Sequence, residues 1–438
     1  MNGKLRKVII RDRRLIPPFN EPARDLMVLN KPLWLHQRDL LAPYCDEELE
    51  VDSLDEVPDD RVPTLVYRDN LFFDEPFLRT FLERARRLNK ACRVAFALND
   101  PAIVHHALPL QRGIRREGDV YVADMWYFPY GKESYARPLV IETLAREIGY
   151  YRVPRYMAPR QGDLTFWVPL RAFLSIEHWV HVFMANSPFG IFAEGARMED
   201  RIQRLDVKLR ILWRAMLERR QVLSSSALVR IGRNVQIDPT AVLQGPTIIG
   251  DNVTIGAGAV VANSIIGNNV NIGQGVQVLL SVVGDGCFLP FRAALFMTTM
   301  MEHSMVAQNT CLQLCVVGRD TFIGAGTTFT DFNLLPKPIR THFRGELVEA
   351  GMPVLGGCVG HHCRLGSGLV IYPARMIESD VVLFATSDHH VITRNVYYED
   401  SDHLRIPGGA ALYPRLYPRE EEVGQPEAAP ALERGNAP

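Results

Sequence analysis

From Ile231 to about Leu383, large aliphatic residues recur every sixth position. The row runs Ile231, Ile237, Leu243, Ile249, Ile255, Val261, slips by one to Ile266, continues through Ile272 and Val278, and slips again to Val283 and Leu289. It returns as Val317, Ile323, Phe329 and, after an interruption, as Val359, Leu365, Ile371, Ile377 and Leu383. A six-residue step drifts off any single face of an α-helix, whose neighbours lie three and four residues apart. Glycine follows many members of the row (Gly250, Gly267, Gly284, Gly318), as expected where a backbone turns a corner with little room for a Cβ. Three hexads make one triangular coil, and stacked coils bury the row as a continuous core. The spacing predicts a parallel β-helix.

Upstream, strand and helix signals alternate. Lys7–Ile10 and Thr64–Tyr67 read as strands, and a helix follows Asp74 as N-cap with Pro76 in its first turn. Cys92–Leu98 and Val120–Phe128 read as further strands, so the front of the chain predicts a mixed or parallel sheet covered by helices. Leu164–Ala185 and Arg197–Leu223 are expected to be helical, the second as a long connector into the β-helix, with Ser224–Ser226 at the junction. The expected organisation is an α/β domain over 1–163, a helical connector over 164–226, a β-helix over 227–400, and a disordered acidic, Pro/Ala-rich tail over 419–438.

Composition limits the functions available. A formal net charge of −1 over 438 residues supplies no global attraction to nucleic acid or an anionic membrane, so no nucleic-acid partner is expected. No apolar run reaches the length of a membrane span. The seven cysteines are scattered without CxxC pairs, and the first residues lack a signal-peptide apolar core, which makes the cytoplasm the expected compartment.

Several motifs then carry a resemblance. Lys7–Ile10 followed by Arg14-Leu15-Ile16-Pro17, then Asn30-Lys31-Pro32 opening LNKPLWLHQRDLL, and LVYRDNLFFDEPFLRTFLERA resemble the sugar-1-phosphate nucleotidylyltransferases. IGAGTTFTDFN and RGELVEAGMPVLGGCVGHHCRLGSGLVIYPARMI are similar to the acyltransferase β-helix of bifunctional nucleotidylyltransferase/acetyltransferase enzymes of the N-acetylglucosamine-1-phosphate uridyltransferase type. The order of the two halves is also that family's, and this chain reads as a divergent member.

The resemblance implies a reduced nucleotidylyltransferase-like α/β domain joined to a left-handed β-helix of hexapeptide repeats, assembled as a homotrimer. It implies that Asp69 holds magnesium and that Lys31 lies in the substrate site, and the guanidinium forks of Arg13 and Arg14 are candidates to pair with phosphate. It implies acetyl-CoA or another acyl-CoA as donor, with a sugar phosphate or nucleotide-sugar as acceptor. His303 is then the candidate general base, because imidazole titrates near neutrality, with Asn333 beside it and Lys337 and Arg344 as substrate-binding cations.

The chain also departs from that pattern. RDRR at Arg11–Arg14 replaces a glycine-rich phosphate loop, where glycine lets backbone N–H groups close on an anion. Little or no nucleotidyl transfer is therefore expected. The family's basic Gly-Arg-Arg-Lys stretch is here Gly351-Met352-Pro353-Val354. A silent regulatory or scaffold paralogue that keeps both folds is the alternative reading. His361, His362, His389 and His390 raise a zinc reading of the carbonic anhydrase type, opposed by the opposite facing of adjacent residues on a strand. The Met297, Met300, Met301, Met305 run reads as packing or a subunit contact.

Overall fold

The computed structural model describes residues 5–153, 156, 162–335 and 337–419. The hexad row closes into eight coils, whose strands form three parallel sheets of eight. From the second coil on the row residues point inward: Ile249, Ile255, Val261, Ile266, Ile272 and Val278 are all buried in one continuous cluster. This is the geometry of a left-handed β-helix of hexapeptide repeats. The gap read between Leu289 and Val317 is filled by Leu295, Met300, Val306 and Leu312, all at most 1% exposed, so the row runs on there with a methionine in place of a branched aliphatic.

Six strands of the front half form a mixed sheet. They are β1 (Leu5–Ile10), β2 (Cys45–Val51), β3 (Thr64–Arg68), β4 (Cys92–Ala97), β5 (Val120–Phe128) and β6 (Arg137–Val140), in spatial order β6-β4-β5-β3-β1-β2. A short strand, Arg115–Glu117, adds to β5 as a hairpin. β1 lies parallel to β2 and β3, while β5 runs antiparallel to β3 and β4. Helix α1 (Leu33–Leu41) precedes β2. Helix α2 (Glu75–Leu88) begins where Asp74 accepts the Phe77 N–H, an N-cap that satisfies one of the helix's free donors. Phe77, Leu78, Phe81, Leu82 and Ala85 form its buried stripe.

Two helical expectations need correction. Leu164–Ala185 contains two strands, β7 (Leu164–Val168) and β8 (Phe173–Ser175), before helix α3 (Trp179–Asn186). In LTFWV the burial alternates residue by residue, the period of a half-buried strand, and Pro169 follows it directly. Arg197–Leu223 is not one connector either. Helix α4 (Ala193–Gln203) ends at Arg204, which takes an extended ψ of 129°, and α5 (Leu205–Glu218) starts afresh. Neither glycine nor proline marks that break. The predicted tail, apart from Arg419, lies outside the described residues.

The two halves share a core. On the first sheet of the β-helix, the outward residues Val282, Val316, Cys358 and Met376 are buried in the same cluster as Phe72, Phe183 and Trp179 of the front half. Met297 and Met301 sit in that cluster and Met300 in the coil interior, so these three methionines serve packing, whereas Met305 faces outward. The other two sheets carry outward residues that are exposed or half-buried, such as Asn271, Phe288 and Met305 on the second and Val242, Gln277 and Thr328 on the third. One face of the triangular prism is therefore largely covered and two are largely free, although Ile248 of the first is exposed, Val382 of the second is buried, and Phe296 of the third packs against the front half.

Candidate active site

At the corner between the first and second sheets every coil places one residue in the left-handed region: Asn234, Asn252, Asn269, Gly286, His303, Asp320, His362 and Asp380. Asparagine, aspartate and glycine tolerate that conformation best, which explains the column's composition. His303 (φ 54°) occupies it on the fifth coil, with its side chain 65% exposed and its Nδ1 3.7 Å from Oδ1 of Asp320 on the next coil. The coil below contributes Gly286, where an added Cβ would lie 2.5 Å from the His303 Cδ2. Glycine there makes room for the imidazole to lie over the backbone. The corner thus offers an accessible imidazole with a carboxylate on one side, an arrangement able to accept a proton.

His362, in the same column, is 2.9 Å from Asp380 but is covered by Tyr413, whose ring stacks on it at 4.2 Å. His361 is fully buried between Phe19 and Tyr417, facing Glu21. His389 is 3.9 Å from Asp402, and His390 bonds the Ser387 carbonyl. Among the described residues no group of three metal-ligating side chains converges, so the zinc reading has no ligand set there.

Asn333 stands elsewhere. It follows Thr328–Phe329 of the third sheet, on the edge that leads back to the first, and its Nδ2 donates to the carbonyls of Lys337 and Pro338. Lys337 is exposed beside it. A hairpin, Arg340–Phe343 with Glu346–Glu349, follows from the same edge and leans on the front half. At its turn the Arg344 guanidinium lies 3.5 Å from Glu177, and the His342 carbonyl faces the His178 ring at 3.1 Å. Within one chain His303 and Asn333 occupy different edges of the prism.

In the front half, the carboxyl ends of β1, β2 and β3 form the crevice where a parallel sheet ordinarily takes a ligand. Here the crevice is occupied by its own ion pairs. Arg13 pairs with Asp52 at 2.8 Å, while Arg14 pairs with Asp12 and with Glu177 at 3.0 Å. Asp69 is 1% exposed, accepts the Asp12 N–H at 2.8 Å, and has Arg11 and Arg24 at 3.3 and 3.5 Å from its Oδ2. Burial lifts its pKa to about 7, outweighing the Asp12 N–H bond and the nearby Arg11 guanidinium, and its Oδ2 accepts no hydrogen bond. A buried carboxyl flanked by two cations does not suit magnesium, which asks for open, anionic oxygen ligands. Lys31 pairs with Asp39 at 2.6 Å on the rim of a separate cleft of about 460 Å³, lined by His36, Phe72, Arg197, Ile248 and Ile265.

The stretch Gly351–Val354 carries no basic residue for a physical reason. Met352 and Val354 are buried in the shared core, a position where cations would stand unpaired. Sequence reasoning passed over Gly286 and Asp320, although each lies one 17-residue coil from His303.

The repeat that builds this corner is recognised independently: residues 229–263, the first two coils, match the bacterial transferase hexapeptide family (six repeats). No curated protein matches the chain. Solved structures that resemble it include the polysialic acid O-acetyltransferase OatWY (21% identity, 39% of this chain and 80% of that one, TM-score 0.18). A putative acetyltransferase of Bacillus cereus is 14% identical over 39% of this chain and 86% of its own, with TM-score 0.19. The UDP-N-acetylglucosamine acyltransferase of Campylobacter jejuni is 17% identical over 35% of this chain and 72% of its own, with TM-score 0.20. The family match thus agrees with the hexapeptide-repeat coils of the structure. Among its described residues no helix is long and apolar enough to cross a membrane.

Proposed function

We propose that this protein is a homotrimeric acyltransferase that moves an acyl group from acyl-CoA to a sugar phosphate or nucleotide-sugar, with His303 as general base. The observation that carries the reading is the covered first face. Two free faces share one edge, and a closed threefold ring of prisms turns that edge toward its axis. The second face of one subunit then meets the third face of its neighbour. At the outer limit of that contact, the edge bearing His303 on one subunit lies beside the neighbour's edge bearing Asn333, Lys337 and the hairpin. Residues that one chain keeps apart are joined by assembly. His303 would take the proton from the attacking amine or hydroxyl, and Lys337 would offer charge to an acceptor phosphate.

The α/β domain serves in this reading as a packing partner without nucleotidyl transfer, because the guanidiniums of Arg13 and Arg14 already have carboxylate partners. The test is complementation. His303→Ala and Asn333→Ala are each inactive in acyl-CoA consumption, and co-assembly in equal amounts restores about a quarter of wild-type turnover, since a quarter of the random interfaces pair an intact His303 with an intact Asn333. Inactive mixtures overturn the shared site. A wild-type protein that turns over no acyl-CoA with any sugar phosphate or nucleotide-sugar overturns the enzyme reading and leaves the scaffold alternative.

A further inference from the structure

Beyond the corner, the last coils hold a cleft of about 450 Å³ between the hairpin and residues 391–405. Its lining includes Arg375, Arg394 and Arg405 against the single carboxylate of Asp400, together with His342, His389 and Asn395. Arg405 is satisfied by Asp402 at 3.1 Å, and Asp400 is turned back to the Tyr397 N–H at 3.5 Å. The other two arginines are not neutralised. Arg375 donates only to the carbonyls of Pro373 and Arg340, at 3.1 and 2.8 Å, and Arg394 has neither a hydrogen-bond nor an ion-pair partner among the described residues.

Asn395 lies in the wall between this cleft and a neighbouring one. Its Oδ1 accepts the Met376 N–H at 3.1 Å, which fixes the amide, but its Nδ2 is buried without a partner. A buried donor left unmade costs about 1–3 kcal/mol, so such a group ordinarily has a partner. Burial alone, with no carboxylate to oppose it, holds the Arg375 guanidinium below its ordinary pKa.

We infer that this cleft binds the phosphate group of a small phosphate ester, held by Arg375 and Arg394 beside the amide of Asn395. Guanidinium forks match phosphate oxygens in pairs, and the volume leaves space for the organic part of an ester. The inference does not depend on acyl transfer, and its test reads binding alone.

Calorimetric titration of the full chain uses inorganic phosphate, a hexose phosphate and a nucleoside monophosphate, with the unphosphorylated sugar and nucleoside as controls. The phosphorylated probes bind saturably, the esters more tightly than inorganic phosphate, and the controls do not bind. Arg394→Ala removes an exposed, unpartnered side chain, so the fold persists, and it weakens binding on the order of tenfold or more. Asn395→Asp keeps the Oδ1 acceptor and replaces the donor with an anion, and it abolishes binding. Three results overturn the proposal: no saturable binding of any phosphorylated probe to the wild type, equal binding of the unphosphorylated controls, or unchanged affinity in Arg394→Ala. If Asn395→Asp fails to fold, Arg394→Ala decides.

Discussion

The β-helix and the α/β half are held together by opposite kinds of contact. In the β-helix each strand pairs with its equivalent one coil away, usually 17 or 18 residues on, so the fold repeats a near-local rule. In the front half β1 pairs with strands about 40 and 60 residues distant, and β8 reaches back about 100 residues to Leu71–Phe73. The first region can tolerate variation in any one coil's surface. The second depends on distant segments agreeing, and it borrows part of that agreement from the β-helix face it covers.

The harshest way to break this comparison is to charge the coil interior. Ile323→Asp buries an unpaired carboxylate at a site with no accessible surface, and we expect a loss of roughly 4 kcal/mol or more. Because the halves share a core, front-half and β-helix signals should melt together. A wild-type melting temperature for Ile323→Asp removes the β-helix assignment, and two separate transitions remove the shared core.

Next in size is the corner. His303→Ala should lower acyl transfer about a hundredfold, the scale of a positioned base, with sedimentation and melting unchanged because the side chain is largely exposed. A stability change with turnover intact would make His303 a contact residue.

The Asp69 carboxyl gives a smaller effect with a defined sign. Its folded pKa is raised from 3.8 to about 7, so between those values the folded state binds more protons than the unfolded state and stability falls as pH rises. Asp74, raised to about 6 by burial, acts in the same direction. Asp69→Asn should remove its own share, on the order of 1–3 kcal/mol between pH 4 and 8, seen as a flatter stability curve. A curve as steep as the wild type's would mean that Arg11 and Arg24 keep Asp69 ionised. Least of all, Arg13→Ala breaks an exposed pair and should change stability by less than about 0.5 kcal/mol. A large loss would restore a role for that crevice.

What could be read from the chain follows the same division. The row from Ile231 to Leu383 was legible because local repetition states the fold many times over. Only Met300 and its neighbours hid it, since methionine fills an aliphatic slot without resembling one. Strand β7 was missed because TFW satisfies a helical stripe as well as a strand until its neighbour across the sheet, Arg146–Tyr151, is known. His303 could be singled out by its chemistry. The pairing of Asp69 with Arg11 and Arg24 could not, because it requires three segments to meet.

The slips in the row have a consequence for how such a chain can change length. Through the first seven coils the row advances by six from the first sheet to the second and from the second to the third, as in Ile249, Ile255, Val261 and Ile266, Ile272, Val278, and only on the last coil does Leu383 give way to Ile392 after a longer step. The five-residue steps, Val261 to Ile266 and Val278 to Val283, fall on the third edge, and so does the segment between Phe329 and Val359 that carries the hairpin. Within the stack, up to that terminal coil, two edges behave as fixed text and one as a margin open to insertion. Evolution has already written there once, and a designer grafting a new loop would choose the same edge, between any two coils, without disturbing the register of the other two.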